Sequence, residues 1–281
     1  MTSFDTSAWA ATLGYCAAAV VVLLAITFVV SKIAGKHSVV DTTWGLLFVG
    51  VAVVVFFCSS GHGDPLRRWL LLILPVVWGL RLAYYTGKRS IGKPEDPRYE
   101  ELLDKQPGGG DLYALRMIYG LQGLLAYVIA APIMVGGFEY HAVRVLAWIG
   151  VAVWLVGLFF ESVGDAQMQR FRADPSNKGK LIDSGLWRYT RHPNYFGDAC
   201  IWWGIFLVAA DSLPGVATIF GPIIMTLLLT LGSGARTLEK SMSKRDGWDE
   251  YAARTSMFVP LPPRVKKAVD PGVRRTSRAG R

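Results

Sequence analysis

The sequence predicts an all-α membrane protein with about seven transmembrane helices. Hydrophobic residues make up 52% of the 281 residues and the mean hydropathy is +0.33, which is too apolar for an ordinary soluble domain. The apolar residues are gathered into runs that charged connections separate. Most runs approach the roughly 20 residues with which a helix crosses the hydrocarbon core of a bilayer.

The predicted spans follow one another from residue 9 to residue 231. The second, third and sixth runs are short. Pro75 and Pro132 predict bends in the third and fourth helices, because proline lacks the backbone N–H that continues a helix. The seven spans are residues 9–30, 43–58, 69–85, 112–135, 143–162, 195–210 and 214–231.

The basic residues predict the orientation of the chain in the membrane. With seven spans, most of the 30 Lys and Arg residues fall in the connections after spans one, three and five and in the C-terminal tail. Basic residues accumulate on the cytosolic side of a membrane. We therefore expect the N-terminus outside and the C-terminus in the cytosol.

One membrane domain and one short tail account for the chain. We assign residues 1–263 to a single transmembrane domain and residues 264–281 to a basic, disordered tail near anionic lipid. The three cysteines lie in apolar runs without metal-ligand spacing, so we expect neither a metal site nor a disulfide framework. Membrane lipids explain the net charge of +9, so nucleic acid is not an expected partner. The oligomeric state stays open.

The most informative polar cluster lies at the start of the sixth span. Residues 186–195 read LWRYTRHPNY and bring two arginines, a histidine, an asparagine and two tyrosines to the mouth of an apolar run. Polar groups at membrane depth indicate a functional site. The fifth span continues toward this cluster, because Glu161, Asp165 and Arg172 recur near one helix face.

Two interpretations of these charges are open. A polyanionic cofactor fits them, because guanidinium groups match phosphate oxygens and carboxylates suit ribose hydroxyls. The alternative is a solvated, ion-paired end of the fifth helix.

At these residues the chain resembles a known family. The segment GLWRYTRHPNYFGD at residues 185–198, with residues 161–180 before it and 236–260 after it, resembles the membrane-bound steroid 5α-reductase family, and above all a bacterial branch of it. The resemblance implies an NADPH-dependent oxidoreductase of a bacterial inner membrane. Its reaction saturates a carbon–carbon double bond conjugated to a carbonyl, in a steroid-like or other lipid-soluble substrate that enters from the bilayer.

The same resemblance implies a cytosolic NADPH pocket formed by the C-terminal helices. By position, Asp165 and Asn194 meet the nicotinamide half or its ribose. The residues implied to meet the phosphates are Arg172, Lys180, Arg188, Arg191 and Arg236. The other implied pocket residues are Glu161, His192, Tyr195 and Asp198.

The resemblance also implies a group that holds a proton at the carbonyl oxygen of the substrate. Family members supply it from an acidic residue at the start of span two and a tyrosine at the end of span three. The candidate catalytic residues here are Asp41 and either Tyr84 or Tyr85. Asp41 is also a good N-cap for span two, and the tyrosines are typical interfacial anchors, so these alternatives stay open.

The chain departs from the steroid reductases at three places. Asp41 and Thr42 stand where the family carries a Gln-Glu pair, and Asp198 stands where a glutamate is usual. Residues 238–240, Leu-Glu-Lys, replace histidines after the last span. The change at Asp41 and Thr42 bears on the identity of the substrate more than on that of the cofactor.

Two other functions compete with a reductase. An S-adenosylmethionine-dependent membrane methyltransferase of the isoprenylcysteine or phospholipid type would share the Arg-His-Pro-x-Tyr turn and use Glu239. Its cofactor has no phosphate and gives no reason for the clustered cations. A non-enzymatic lipid-binding or transport protein would use the cations for headgroup phosphates, but it would not need acceptors such as Asp165 and Asn194.

Overall fold

The computed structural model describes residues 4–105, 110–232 and 234–264 of the chain. In these ranges the fold is helical, with no β-strand and one isolated bridge between Thr190 and Ser256. The helices of the first half are α1 (Thr6–Ala34), α2 (Val40–Cys58), α3 (Pro65–Ser90), α4 (Pro97–Asp104), α5 (Gly110–Ala114), α6 (Leu121–Ile129) and α7 (Ala131–Gly136). Those of the second half are α8 (Val145–Ala173), α9 (Pro193–Ala209), α10 (Leu213–Val216), α11 (Phe220–Thr230), α12 (Ala235–Met242) and α13 (Trp248–Arg254).

The predicted all-α membrane fold is confirmed. Within the described residues, six helical stretches are long and apolar enough to cross a membrane, namely Thr6–Ala34, His37–Cys58, Pro65–Ser90, Gly110–Ile129, Val145–Ala173 and Leu213–Met242. The predicted span 195–210 forms α9, whose 17 residues extend about 26 Å. The sixth predicted span is therefore a shorter helix that packs along α8. The predicted tail, apart from Arg264, lies outside the described residues.

Proline acts differently in the third and fourth spans. Pro75 lies inside α3, which is one helix from Pro65 to Ser90. The fourth predicted span divides instead, because α6 ends at Ile129 and Pro132 stands in the first turn of α7. At that position the missing N–H costs no helical hydrogen bond.

An aromatic cluster occupies the centre of the bundle. Phe48 of α2, Trp78 of α3 and Trp202 of α9 are fully buried. The ring centroids of Phe48 and Trp202 are 4.4 Å apart, and those of Trp78 and Trp202 are 5.5 Å apart with perpendicular planes. Such tilted and edge-to-face pairs stabilise a core beyond the area that they bury. The cluster joins the N-terminal helices to α9.

Glycines bring α8 and α9 into direct backbone contact. Gly150 and Gly157 of α8, and Gly197 and Gly204 of α9, repeat at intervals of seven residues. A Cβ added at Gly157 would lie 2.5 Å from the carbonyl oxygen of Gly197, and one at Gly204 would lie 2.6 Å from that of Gly150. Small residues let membrane helices approach closely. Polar side chains on the two helices therefore share one narrow space.

A buried arginine stands at the end of the bundle where α3 begins. Arg67 has no exposed surface. Its Nε donates to the carbonyl oxygen of Val208 at 3.0 Å, and its Nη1 donates to that of His141 at 2.8 Å. Its Nη2 donates to Asp211 at 2.5 Å. Arg67 thus ties α3 to the end of α9 and to the connection before α8.

The segment of residues 91–105, which contains α4, is fixed to the start of α2. The carboxylate of Glu95 accepts hydrogen bonds from the backbone N–H groups of His37 and Ser38. Lys36 donates to two backbone carbonyl groups near the start of the segment. Burial acts to raise the pKa of Glu95, but the hydrogen bonds from backbone N–H groups outweigh it and hold this pKa below its usual value.

Replacing Gly157 by alanine is expected to destabilise the fold by roughly 1–3 kcal/mol, because the new methyl group overlaps the carbonyl oxygen of Gly197. The measurement is thermal unfolding in detergent. Gly14→Ala is the matched control, since a Cβ at Gly14 meets nothing within 4 Å. Equal melting temperatures for the two variants would contradict the backbone contact.

Glu95→Gln is expected to lower the melting temperature at neutral pH and to have little effect in acid. The folded-state pKa of Glu95 lies below that of an unfolded glutamate, about 4.3. The carboxylate therefore stabilises the fold above that pH, and its contribution is lost as the pH falls through the folded-state value. Melting temperatures between about pH 3 and about pH 7 test this. Glu101→Gln, exposed on α4, is the control, and a difference independent of pH would contradict the linkage.

Candidate active site

Three carboxyl groups and one guanidinium meet between α3, α8 and α9. Arg81 of α3 donates to Oε1 of Glu161 at 2.6 Å and also binds Asp165. Trp78 Nε1 donates to Oε2 of Glu161 at 3.0 Å. Asp198 of α9 acts electrostatically on Glu161. We call Arg81, Glu161, Asp165 and Asp198 the acid group.

The acid group holds more acidic than basic side chains and is buried. Glu161, Asp165 and Asp198 are 3%, 5% and 8% exposed. Asn194, at the start of α9, donates to Oδ1 of Asp165 at 3.2 Å. Oδ1 of Asp198 is buried without a hydrogen-bond partner among the described residues. Since buried acceptors are normally satisfied, this oxygen is suited to a donor from outside the chain.

Arg172, near the end of α8, has two other arginines close enough to act on it electrostatically. Arg89 and Arg245 both act on Arg172 by electrostatic repulsion. All three are exposed, and none has an ion pair with a carboxylate in the part of the chain that the structure describes. We call Arg89, Arg172 and Arg245 the arginine group. An anion with several negative oxygens would relieve the repulsion and accept hydrogen bonds from the guanidinium groups.

Tyrosines connect the arginine group to the acid group. The guanidinium carbons of Arg81 and Arg89 lie 5.7 Å and 5.8 Å from the ring centroid of Tyr85. Tyr195 interacts electrostatically with Arg172 and with Asp165. The two groups therefore form one continuous polar site that runs from the buried acids to the exposed arginines.

Arg191 and His192 of the predicted motif bind other residues of the protein. Arg191 binds Glu239 through Nε at 2.7 Å and Nη2 at 3.2 Å, and its Nη1 donates to two backbone carbonyl oxygens near the end of α13. His192 Nε2 lies 3.1 Å from Glu239, and its ring stacks on Tyr195. These contacts dock the C-terminal segment on the start of α9. A phosphate contact by Arg191 stays a prediction.

The remaining predicted phosphate contacts lie on the surface. Lys180, Arg188 and Arg236 are exposed, and none of them forms an ion pair among the residues described. Arg188 lines a surface cleft together with Asp183 and Arg254. The structure does not bring Arg188 into the acid group, and the roles of these three cations stay predictions.

Asp41 lies in the first turn of α2, but it does not cap the helix. The N-cap residue is Val39, and no side chain accepts a hydrogen bond there. The Asp41 carboxylate instead accepts from the hydroxyl of Tyr99 at 2.5 Å and from Nη2 of Arg98 at 2.8 Å. The N-cap interpretation of Asp41 is wrong, because the helix begins earlier and the carboxylate is drawn to α4.

The two tyrosines at the end of α3 differ in position. Tyr84 is 69% exposed, which is typical of an interfacial anchor. Tyr85 lies beside Arg81 and Arg89 in the polar site. Neither tyrosine hydroxyl forms a described hydrogen bond with Asp41. Catalytic roles for Tyr84, Tyr85 and Asp41 stay predictions.

The sequence patterns did not identify several residues of this site. Arg81 had a usable signal, since a lone arginine inside an apolar span indicates function. Tyr99 follows a stretch of prolines and acidic residues after span three, but nothing in that pattern names its partner. Arg89 and Arg245 lie in ordinary basic connections and carry no such signal.

Comparisons with known proteins identify the family of the chain and several distant relatives. The DUF1295 family, described as a protein of unknown function, matches residues 27–255. The chain is 26% identical to an uncharacterised protein of Schizosaccharomyces pombe in an alignment of 251 residues that covers 79% of this chain and 72% of the relative.

Two further relatives are named as reductases or dehydrogenases of sterols and steroids. The chain is 28% identical to 3-oxo-5-alpha-steroid 4-dehydrogenase 1 of Rattus norvegicus over 112 residues, 40% of each protein. It is 28% identical to Delta(14)-sterol reductase LBR of Gallus gallus over 156 residues, 52% of this chain and 23% of that one. The matches thus span less than half of either relative. The predicted resemblance is confirmed, and no solved structure matches the chain.

Arg81→Met is expected to destabilise the fold by about 3 kcal/mol or more, because it leaves two buried carboxylates without their cation. Adding Glu161→Gln to the same chain should restore part of the loss. The measurement is unfolding in detergent. Lys88→Met, at the exposed end of α3, is the control. A neutral Arg81→Met, or a double variant no more stable than the single one, would contradict this role.

Proposed function

The chain belongs to the DUF1295 family, and we propose that it is an NADPH-dependent membrane reductase. It saturates a carbon–carbon double bond conjugated to a carbonyl in a steroid-like or other lipid-soluble substrate. Support comes from the relatives named as steroid 4-dehydrogenase and sterol reductase. Because those matches are partial, the cofactor must be argued from the site itself.

The arginine group is the observation that carries the proposal. Arg89 and Arg245 each repel Arg172, and none of the three forms an ion pair with a carboxylate within the described ranges. Like charges held close together are unfavourable, and a bound anion would offset this cost. Phosphate groups fit guanidinium groups through paired hydrogen bonds. The phosphates of a dinucleotide are therefore a suitable ligand for this group.

The acid group suits the other half of the same ligand. The free Oδ1 of Asp198 and the carboxylate of Asp165 can accept hydrogen bonds from ribose hydroxyls or a carboxamide, and Asn194 can donate or accept. Tyr85 and Tyr195 supply flat surfaces between the two groups. Bound NADPH would supply a hydride, and the acid group would orient the nicotinamide end and exclude water from it.

We assign the polar site to the cytosolic side of a bacterial inner membrane. Connections on that side carry most of the basic residues, and such residues accumulate on the cytosolic face. NADPH is then reached from the cytosol, while the lipid substrate is reached from the bilayer.

Both competing functions are less well supported. S-adenosylmethionine carries no phosphate for the arginine group, and the glutamate that a methyltransferase would use, Glu239, is bound to Arg191 and His192. A lipid-binding protein would use exposed arginines for headgroups, but it has no need of a buried acceptor such as Asp198.

NADPH binding by the purified protein tests the proposal. Arg172→Gln is expected to weaken binding roughly tenfold or more, because a charge-assisted hydrogen bond is lost. Salt should weaken binding to the wild type, since the site is partly exposed. Fluorescence of bound NADPH gives the dissociation constant, and Arg170→Gln, exposed on the same helix, is the matched control.

Three outcomes would contradict the proposal. Binding of S-adenosylmethionine without binding of NADPH would favour the methyltransferase. Binding of a short-chain phosphatidylglycerol without NADPH would favour a lipid-binding protein. Equal NADPH affinity for Arg172→Gln and Arg170→Gln would remove the arginine group from the cofactor site.

A further inference from the structure

Asp198 differs from the other acids of the acid group, because no described residue donates a hydrogen bond to it. Glu161 accepts from Arg81 at 2.6 Å, and Asp165 binds Arg81 and accepts from Asn194 at 3.2 Å. Oδ1 of Asp198 is buried without a partner, and its second oxygen has no hydrogen bond in the ranges that the structure describes. The arginine and amide donors thus serve Glu161 and Asp165, and Asp198 receives none.

The charges of the acid group do not balance if all three acids are ionised. Three negative charges would then face the one positive charge of Arg81, which is already in ion pairs with Glu161 and Asp165. Asp198 is 8% exposed, so water screens its charge poorly. Burying a carboxylate without a cation or a donor is costly, and such a group becomes neutral by taking up a proton. Asp198 is the acid of the group for which this cost is highest.

No other charge near Asp198 replaces the missing partner in the part of the chain that the structure describes. Its electrostatic neighbours are Arg81 of α3, Glu161 and Asp165 of α8, and the uncharged phenol of Tyr195 on its own helix. Helices α7, α10 and α11 also pack against α9 and contain no ionisable residue. The carboxylate of α2 is held by α4. The charged neighbours of Asp198 are therefore two acids and the arginine that those acids share.

Helix packing holds Asp198 in this place. The preceding residue, Gly197, is in backbone contact with α8, since a Cβ added there would lie 2.5 Å from the carbonyl oxygen of Gly157. Helix α9 therefore cannot turn the carboxyl group toward solvent without breaking its contact with α8. Nε1 of Trp202, one helical turn further on, is also buried and unpartnered among the described residues. Buried polar atoms without partners are rare, and two of them on one face of α9 indicate a ligand beside Asp198.

We propose that Asp198 carries a proton at neutral pH and releases it when the oxidised cofactor, with its positively charged nicotinamide ring, occupies the site. The reduced ring is uncharged and leaves the proton in place. The release rests on the proposed reductase function, because it requires the nicotinamide end of the cofactor to lie at the acid group. The protonation of Asp198 in the free protein does not depend on that function.

The charge of the ring is what moves the proton. A nearby positive charge favours the ionised form of a carboxyl group, and its effect is strong where water is excluded. The O–H bond of Asp198 then breaks, the proton passes to solvent, and the carboxylate balances the charge of the ring. Asp198 thereby distinguishes the two redox states of the cofactor, and the oxidised state is bound more tightly as the pH rises.

Infrared spectroscopy of the cofactor-free protein tests the protonation. Aspartate labelled with ¹³C in its side-chain carboxyl group separates aspartic from glutamic acids. The wild type is expected to show the carbonyl band of a neutral, labelled carboxylic acid at neutral pH. Asp198→Asn should remove this band. Asp198→Glu should replace it by an unlabelled band, so a misfolded Asp198→Asn protein does not prevent the assignment. Asp64→Asn is the matched control, because Asp64 accepts from the backbone N–H of Arg67 at 2.9 Å and is expected to be ionised.

Cofactor affinity at several pH values tests the release. In the wild type, the ratio of NADP⁺ affinity to NADPH affinity should rise by up to about tenfold for each unit of pH around neutrality, because a proton leaves only when NADP⁺ binds. The 2′-phosphate titrates in both cofactors, so its effect cancels in the ratio. Asp198→Asn should give a ratio that does not change with pH, and Asp64→Asn should behave as the wild type.

Three results would overturn the proposal. They are a cofactor-free wild type without the labelled acid band, a band that neither Asp198 variant removes, and a wild-type affinity ratio that is independent of pH. Failure of the wild type to bind either cofactor, with the band present, would instead contradict the proposed function and the release that rests on it, and would leave the protonation of Asp198 established.

Discussion

The glycine contact between α8 and α9 is the constraint on which the polar site depends. Because Gly157 and Gly197 meet through their backbones, no side chain separates the two helices at that level. Glu161 and Asp165 on one helix therefore share a space with Asp198 on the other. A wider spacing would leave each carboxylate facing lipid or apolar side chains, where its charge is costly. Arg81 can serve two of these carboxylates only because α8 presents them on one face.

Acidic and basic side chains lie at different depths in this protein. The buried acids surround the single guanidinium of Arg81. Nearer the surface lie exposed arginines that have no carboxylate partner among the described residues. The division matches a ligand with hydroxyl and amide groups at one end and phosphates at the other. Arg191 illustrates the opposite case, because its guanidinium is used to hold Glu239 and the C-terminal segment. In the proposed function, the same residue type therefore serves binding at one position and docking at another.

The fold was largely predictable because hydropathy and charge are properties of single segments. Spans, the extension of α8 to Ala173 and the shared face of Glu161, Asp165 and Arg172 follow from local periodicity. Pairings between helices do not, because they depend on how each helix is rotated and on its depth. The sequence therefore indicated Asp41, but it could not show that its partner is Tyr99 and not a tyrosine of α3. The sequence likewise could not show that the fourth span divides at Ala130, because Pro132 is compatible with either a bend or the start of a new helix.

The buried Arg67 at the other end of the bundle has a consequence for which substitutions the chain accepts. Its nitrogen donors are taken up by Val208, His141 and Asp211, so the guanidinium joins α3 to the end of α9 and to the connection before α8. Asp211 balances its charge inside the bundle, and the loss of either partner would leave the other charge buried without compensation. Substitutions at these two positions, far apart in the sequence, are therefore expected to occur together.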